Sequence, residues 1–518
     1  MINKNDFLKN KEFILIYLLF LVFSSLILFN LDNYNHPKME IIFLGILTIV
    51  GIFLIIYFSK NQNKIHKTAF LIILIFGILC VFSSPLLDVS DEIEHMARAT
   101  SFSEGNLLPE YENIPNGSKI TNTKDDSYNL NKKGYLLLTG LGIPIEYRHK
   151  TIFETTWDDE KITYEHNYVD SLFSQNPFYG YLAPAIGMGI AKLLDLNNIW
   201  MLWFGKLCNI ILYTIICTLA IKITPVFKFP FLIFSCMPLA IYQSASFSID
   251  AFIISFAILT IAYFFYLYKL PDRSITYKKI LPFFIICLIL GLSKVTLFIL
   301  VLLVFLIPRN KFKENKDYYL SILSIFILIV LALYWTRTIA SPNTYDSWRG
   351  AYFATSNINE TSQISYIINN PIEFITTLFK SIFDVNQAKY LKFFTLGSGY
   401  YDYSSMILNL LYCVFLIAII LLYPNNISIK RNERIYGFLI FTLFITGTFL
   451  SLYLTWNPVG SLILKGVHTR YLIPIFALLP FIFTINKNKT FKNMDKYIMA
   501  IVIGFLASMI LLIIANYY

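Results

Sequence analysis

The stretch TAFLIILIFGILCVFSSPLL at residues 68–87 runs directly into DVSDEIEHMAR at residues 88–98. A bilayer core of about 30 Å is crossed by about 20 apolar residues in a helix, and the first string supplies that length without one charge. The second string crowds acids, a histidine and an arginine where the apolar run ends. The pair reads as a membrane-spanning helix that delivers titratable groups to one membrane surface.

Runs of the same kind recur along all 518 residues, at 13–30, 40–58, 68–87, 199–221, 229–246, 249–268, 279–292, 295–307, 319–340, 406–423, 435–455, 470–485 and 497–515. Composition agrees: 56% of residues are hydrophobic and 14% charged, against roughly 25% charged in soluble chains, and the mean hydropathy is +0.61. The expected fold is therefore an all-α polytopic membrane protein of about 13 helices. The first run follows Lys4, Lys9 and Lys11 in the order of a secretion signal. It is too long for a signal's apolar region and no small-x-small cleavage site follows, so it is read as the first span.

Basic residues collect in cytoplasmic loops. Alternating sides from an inner N-terminus places Lys60, Lys64, Lys67; Lys222, Lys228; Lys269, Arg273, Lys278, Lys279; Arg309, Lys311, Lys313, Lys316; Lys430, Arg431, Arg434; and Lys487, Lys489, Lys492, Lys496 inside. Lys38, Lys294, Lys465 and Arg470 remain outside. The expected topology has the N-terminus in the cytoplasm, the C-terminus outside, and the long polar regions 88–198 and 341–404 outside as well. The organisation that follows is a two-helix extension at 1–67, a membrane core at 68–340 containing the first outer loop, the second outer loop at 341–404, and C-terminal helices at 405–518. Phe178 to Leu194 is apolar enough for a span, but counting it would expel every later basic cluster. Its prolines and glycines suit a helix lying at the outer surface or re-entering from it. The runs 279–292 and 295–307 are short for two crossings; two thin crossings joined at Ser293 and Lys294 keep Arg309 to Lys316 inside.

The net charge of +10 is accounted for by those loops. No basic cluster interleaves with aromatics in a polar region, which argues against nucleic acid as a partner. Cys80, Cys208, Cys217, Cys236, Cys287 and Cys413 all fall in apolar spans without a CxxC, which argues against disulfide staples and thiolate zinc. The Lys, Asn and Ile bias with few Arg fits a bacterium of AT-rich genome, and so a bacterial plasma membrane.

At helical spacing Asp91, Glu94, His95 and Arg98 share one face. The plain reading is a solvated surface helix with acids in its first turn; the functional one is a carboxylate base with orienting partners. Asp250, Lys294, His468 and Arg470 also stand at outer ends of apolar spans. Each alone reads as a snorkelling or end-capping residue, whereas together they give charges of both signs on the side that holds Asp91. Isolated charges in apolar runs are costly and usually face a cavity.

The string Asp91-Glu92 with His95 and Arg98, then Glu104-Gly105-Asn106-Leu107, resembles the opening DEPAHFYRA...EG.L of the bacterial DUF2142 membrane-protein family, placed in the GT-C superfamily of polytopic glycosyltransferases. Asn176 to Leu182 resembles its YPPLYYLP, Met237 to Asp250 its LPM..Q.AS.SPD, Gly291 to Lys294 the start of its ALAKPPY, and Gly466 to Pro474 its GVQGRYFLP. Together these motifs cover about 68–485. The chain departs from the pattern at Ile93, Phe178 and Ile249, each standing where the family has proline. The resemblance implies a GT-C plan, in which an Asp or Asp-Glu of the first outer loop serves catalysis. It also implies a lipid-linked donor such as a polyprenyl-phosphate sugar, with membrane lipid around the site and a glycan or glycolipid as acceptor.

Under that resemblance Asp91 is the base, and Glu92 orients the acceptor or holds a divalent cation. His95 and Arg98 support them. Lys294, Arg470 and His468 grip the donor phosphate, and Trp157, Asp158, Asp159, Asp250 and Tyr179 contact substrate. Trp348, Tyr352, Tyr400, Tyr401 and Tyr403 line the acceptor path or serve as ordinary interface anchors. A phosphate leaving group is already anionic, so its departure needs cations more than a protonating acid. No Gly-rich phosphate loop and no inner loop beyond about a dozen residues is present for a nucleotide sugar. Two other functions share these features: a flippase of lipid-linked saccharides, which calls for mid-helix charges and inverted halves, and a surface polysaccharide polymerase or ligase.

Overall fold

In lipid every backbone amide must find its partner inside its own segment, so the apolar runs fold as helices. The computed structural model describes residues 4–29, 37–108, 120–121, 135–139, 149–154, 160–164, 166–170, 173–383, 392–397, 402–424, 427–485 and 492–518. Helix α1 (Lys4–Lys9) leads into α2 (Lys11–Leu28), α3 (Pro37–Lys60) and α4 (Ile65–Ser83). All three long helices pack on the chain's last helix, Met494–Tyr517. Hydroxyls seal that contact where Ser24 Oγ meets Ser508 Oγ at 2.7 Å, and Phe20 meets Phe505 edge-on at 4.8 Å.

The chain leaves α4 at Ser84, which is extended, and re-enters helix at α5 (Glu92–Ser103). The first polar region adds what the sequence reading did not contain, a small sheet of β1 (Ile120–Thr121), β2 (Tyr135–Thr139) and β3 (His166–Asp170). Strand β3 is central, parallel to β1 and antiparallel to β2, with Tyr168 opposite both Ile120 and Leu137. Helix α6 (Leu182–Leu193) follows. Its 12 residues reach only about 18 Å at 1.5 Å per residue, too little to cross a bilayer. Leu182, Ile186, Ile190 and Leu193 leave it exposed while Ala185, Met188 and Ala191 are buried. The segment Phe178 to Leu194 is thus not a span, and its exposed face is apolar. A Cβ at Gly187 would collide with the Phe204 carbonyl, so glycine lets this helix lie close on its neighbour.

That neighbour is α7 (Asn198–Ile223), followed by α8 (Lys228–Ser235), α9 (Pro238–Ser244) and α10 (Asp250–Lys269). The span expected at 229–246 is thus two short helices. Pro238 starts the second, and it holds Met237 extended at ψ 131°. Helix α10 is buried along nearly its whole length and is central to the core. Then come α11 (Tyr277–Ser293) and a long 3-10 helix, Val295–Leu306. At about 2.0 Å per residue the 3-10 form stretches these 12 residues to about 24 Å, against about 18 Å as α-helix, which offsets the shortness of the segment.

Helix α12 (Asn315–Trp335) continues through a π turn, Thr336–Ala340, into α13 (Ser341–Asp346). The second polar region holds α14 (Trp348–Thr355), α15 (Glu360–Asn369), α16 (Pro371–Phe383) and the pair β4 (Thr395–Gly397) and β5 (Asp402–Ser404). After α17 (Met406–Leu422) and α18 (Arg431–Trp456), the segment expected as a span at 470–485 is broken. It consists of 3-10 turns at Thr469–Tyr471 and Ile473–Leu478 followed by α19 (Leu479–Phe483), with Pro474 and Pro480 at starts of new turns. Last is α20 (Met494–Tyr517). Among the described residues 8 helices are long and apolar enough to cross a membrane, the longest being the continuous Asn315–Asp346. The chain is a multi-pass helical membrane protein with small sheets in its polar regions.

Candidate functional site

Asp91 stands at the N-cap of α5 with φ 60°, in the left-handed region that Asp tolerates better than most side chains. Its carboxylate does not cap its own helix. It accepts a hydrogen bond from Arg470 Nη2 at 2.9 Å and one from Ser90 Oγ at 3.3 Å, and it stays 36% exposed. Arg470, buried on the 3-10 turn before α19, also places Nε 3.7 Å from Asp250 Oδ2. Asp250 opens α10 after a turn of serines: its amide donates to Ser248 Oγ at 3.2 Å, and Asn209 of α7 donates to the Ser246 and Ser248 carbonyls at 2.7 and 3.0 Å. One arginine thereby joins the first polar region, the start of α10 and the segment after α18.

Around this ion triad lies a cavity of about 370 Å³. Asp91, His95, Asp250, Lys294 and Arg470 line it, with Arg349 and Glu360 from the second polar region. Lys294 sits between α11 and the 3-10 helix with its Nζ 4.0 Å from the centre of the Tyr471 ring. Arg349 lies 4.5 Å over Trp456, and burial lowers its pKa below the ordinary arginine value. Burial raises the Glu360 carboxyl, against the pull of Arg349. His95 is buried, stacked on Phe173 at 4.0 Å, and its Nδ1 is 2.7 Å from the Tyr181 hydroxyl. Burial pushes its pKa down to about 3, opposed by the Asp91 charge.

The height of the cavity follows from α12. Its lining residues Trp335, Thr336, Ala340 and Thr344 come late in the helical run that starts at Asn315. At 1.5 Å per residue Trp335 is about 30 Å along, one hydrocarbon thickness. The cavity therefore lies at one membrane surface, opposite the basic cluster Arg309 to Lys316.

Five of the expected site residues meet here: Asp91, His95, Asp250, Lys294 and Arg470. Glu92 does not. Although next to Asp91 in sequence, it is fully buried on the other side of the turn, where Oε1 pairs with Lys206 Nζ at 3.0 Å and accepts from the Phe247 amide at 3.3 Å. Oε2 accepts from the Val89 amide at 3.2 Å. Both oxygens are engaged inside the protein, so Glu92 is a poor fit for either a cation ligand or an acceptor-orienting group. Among the described residues no cluster of three or more His, Cys, Asp or Glu is placed to hold a metal ion. Arg98 meets Tyr181 beside His95 but does not line the cavity. It is buried and donates to the carbonyls of Leu107 and Asn176 at 2.8 and 3.3 Å, tying α5 to the loops around it.

Tyr179 donates to the Ile289 carbonyl at 2.8 Å and His468 packs edge-on against Tyr471, and neither lines the cavity. Trp157, Asp158, Asp159, Tyr400 and Tyr401 lie outside the described residues. Three charged participants were missed. Lys206 looked like one more residue of an apolar helix, and Arg349 and Glu360 carried no motif. Asp88 heads the acidic string, but nothing in the sequence assigned it a structural role. It is fully buried, accepts from the hydroxyls of Tyr242, Tyr403 and Tyr517 at 2.7, 2.8 and 2.6 Å, and pairs with His149 Nδ1 at 2.8 Å.

A family model described as "Predicted membrane protein (DUF2142)" matches residues 74–479, well over half of the chain. No curated protein and no solved structure matches it.

Proposed function

The chain belongs to the DUF2142 family of predicted membrane proteins, and from that premise we propose that it is a glycosyltransferase. It moves a sugar from a polyprenyl-phosphate donor to a glycan or glycolipid acceptor on the outer face of a bacterial plasma membrane. The observation that carries the reading is that a partly exposed carboxylate, Asp91, and a cation without a carboxylate partner, Lys294, line one cavity at the membrane surface. A donor anchored in lipid reaches that height without leaving the bilayer.

The acceptor hydroxyl oxygen attacks the anomeric carbon, and its proton passes to the Asp91 carboxylate. The bond from the anomeric carbon to the phosphate oxygen breaks, and the electron pair leaves with the polyprenyl phosphate, whose second negative charge Lys294 offsets. Arg470, held between Asp91 and Asp250, positions the base. His95, neutral through the physiological range, walls the site without adding charge.

The test uses purified protein in detergent with a panel of polyprenyl-phosphate sugars and envelope glycan acceptors. Release of polyprenyl phosphate that depends on Asp91 supports the reading; no release with any donor removes it. Topology is checked separately with cysteines at Ser118 and Ser428, which should label from opposite sides, Ser118 from outside.

A further inference from the structure

Three cations line the cavity, and the protein satisfies them unequally. Arg470 has two carboxylates, Asp91 and Asp250. Lys294 has the face of Tyr471 and the more distant charge of Asp250, with no salt bridge among the described residues. Arg349 lies over the rings of Trp456 and Phe353, at 4.5 and 5.7 Å, and its Nε, like that of Arg470, is out of reach of water and makes no hydrogen bond. Its backbone is fixed by the Ser347 cap, whose Oγ accepts from the Arg349 amide at 3.2 Å. Aromatic stacking leaves the guanidinium edge, with its N–H groups, for an acceptor in the plane. Asp91, Glu94 and Glu360 act on Arg349 from a distance, and Asp250 on Lys294, but among the described residues no salt bridge closes on either cation, so both stay open to an anion that enters the cavity.

We propose that Arg349 and Lys294 are the two jaws of a site for one phosphate group, and that Arg470 is withheld from that phosphate by Asp91 and Asp250. A planar fork and a compact ammonium together suit tetrahedral phosphate, and the cavity lies at the height of lipid headgroups. The identity of the lipid rests on the transferase reading. On that reading the donor is a phosphodiester with one negative charge and the released polyprenyl phosphate carries up to two. Two cations outside any salt bridge suit the more highly charged product better than the donor, so the clasp favours the leaving group as it departs.

The test is binding, with the full chain in a phosphate-free maltoside detergent. The probes are undecaprenyl phosphate and inorganic phosphate, read by ligand-induced thermal stabilisation. Arg349→Gln and Lys294→Gln should each weaken undecaprenyl phosphate about 10- to 150-fold, the range for hydrogen bonds to charged groups. Arg349→Lys should recover part of the loss. Melting temperatures without ligand separate lost binding from lost folding. If inorganic phosphate binds too and is lost in both glutamine variants, the charge pair alone makes the site; if only the lipid binds, its chain contributes. Either result upholds the clasp.

Wild-type affinity for undecaprenyl phosphate in Arg349→Gln overturns it, as does binding of neither probe by the wild type. Binding that depends on Arg349, in a wild type that transfers no sugar, keeps the clasp and removes the transferase. Transfer with unchanged binding in Arg349→Gln does the reverse.

Discussion

Arg470 reaches across 379 positions of chain to hold Asp91, with Nη2 2.9 Å from Oδ2. Its Nε is 3.7 Å from Asp250 Oδ2 on a third segment. From sequence alone, under the family resemblance, Arg470 grips a phosphate. On the proposed function it has a different task, because an arginine bracketed by two carboxylates is better suited to fixing a base than to binding an anion.

The first prediction follows for Asp91→Asn. Asparagine tolerates the left-handed backbone at φ 60° and keeps an oxygen for Arg470, so the fold should survive. Loss of a general base should lower transfer by about 100- to 10,000-fold. Expression and melting temperature near wild type, with near-full transfer, would show that the base lies elsewhere.

Glu92→Gln should behave in the opposite way. Breaking a buried ion pair by removing one partner leaves Lys206 uncompensated, at a cost of about 3 to 5 kcal/mol. The melting temperature should drop. Any residual folded fraction should transfer at a rate near wild type per folded molecule. The double change Glu92→Gln with Lys206→Met should recover part of the stability. A stable Glu92→Gln with abolished transfer would return Glu92 to the site.

How far the sequence was legible depends on what sets each feature. The long spans were readable because lipid selects for uninterrupted apolar runs. The breaks at Met237 and before Pro474 were hidden by the same uniform apolarity, which has no period to lose. The grouping of Asp91, Asp250, Lys294 and Arg470 was visible as charges at the ends of runs on one side. Which of the neighbours Asp91 and Glu92 faces the cavity was not visible, because the left-handed turn at Asp91 decides it and the family's proline is absent at Ile93. Arg349 was not separable from any other charge in a polar loop, since its role depends on Trp456 about a hundred positions away.

The Asp88 network gives a third prediction. Its carboxylate joins the end of α4 to α9, β5 and the penultimate residue of the chain through three tyrosine hydroxyls. Tyr517→Phe removes one donor to a charged acceptor and should cost about 1.5 to 3 kcal/mol. Asp88→Asn should cost more, since it weakens all three. Thermal unfolding of each variant in detergent measures this, and a Tyr517→Phe as stable as wild type would show that α20 is not fastened there.

The fourth prediction concerns acid stability and His95. Asn176 Nδ2 donates to the Tyr181 hydroxyl at 2.9 Å, and that hydroxyl's own hydrogen is therefore available for His95 Nδ1 at 2.7 Å. An imidazole accepting at Nδ1 is neutral, with its proton on Nε2. Protonating it would place a second N–H against the tyrosine and a charge in a buried site. The folded pKa of about 3 lies below the unfolded value of about 6.5, so the unfolded chain takes up the proton first. Stability from this group is complete above about pH 6.5 and is lost as pH falls toward 3, amounting to about 2 kcal/mol at pH 5. His95→Gln keeps an acceptor for Tyr181 and cannot titrate. Its melting temperature should therefore fall less than that of the wild type between pH 7 and pH 5. Equal falls in the two proteins would mean that His95 is protonated in the fold as readily as in water, and the Tyr181 hydrogen bond would then have to run from histidine to tyrosine.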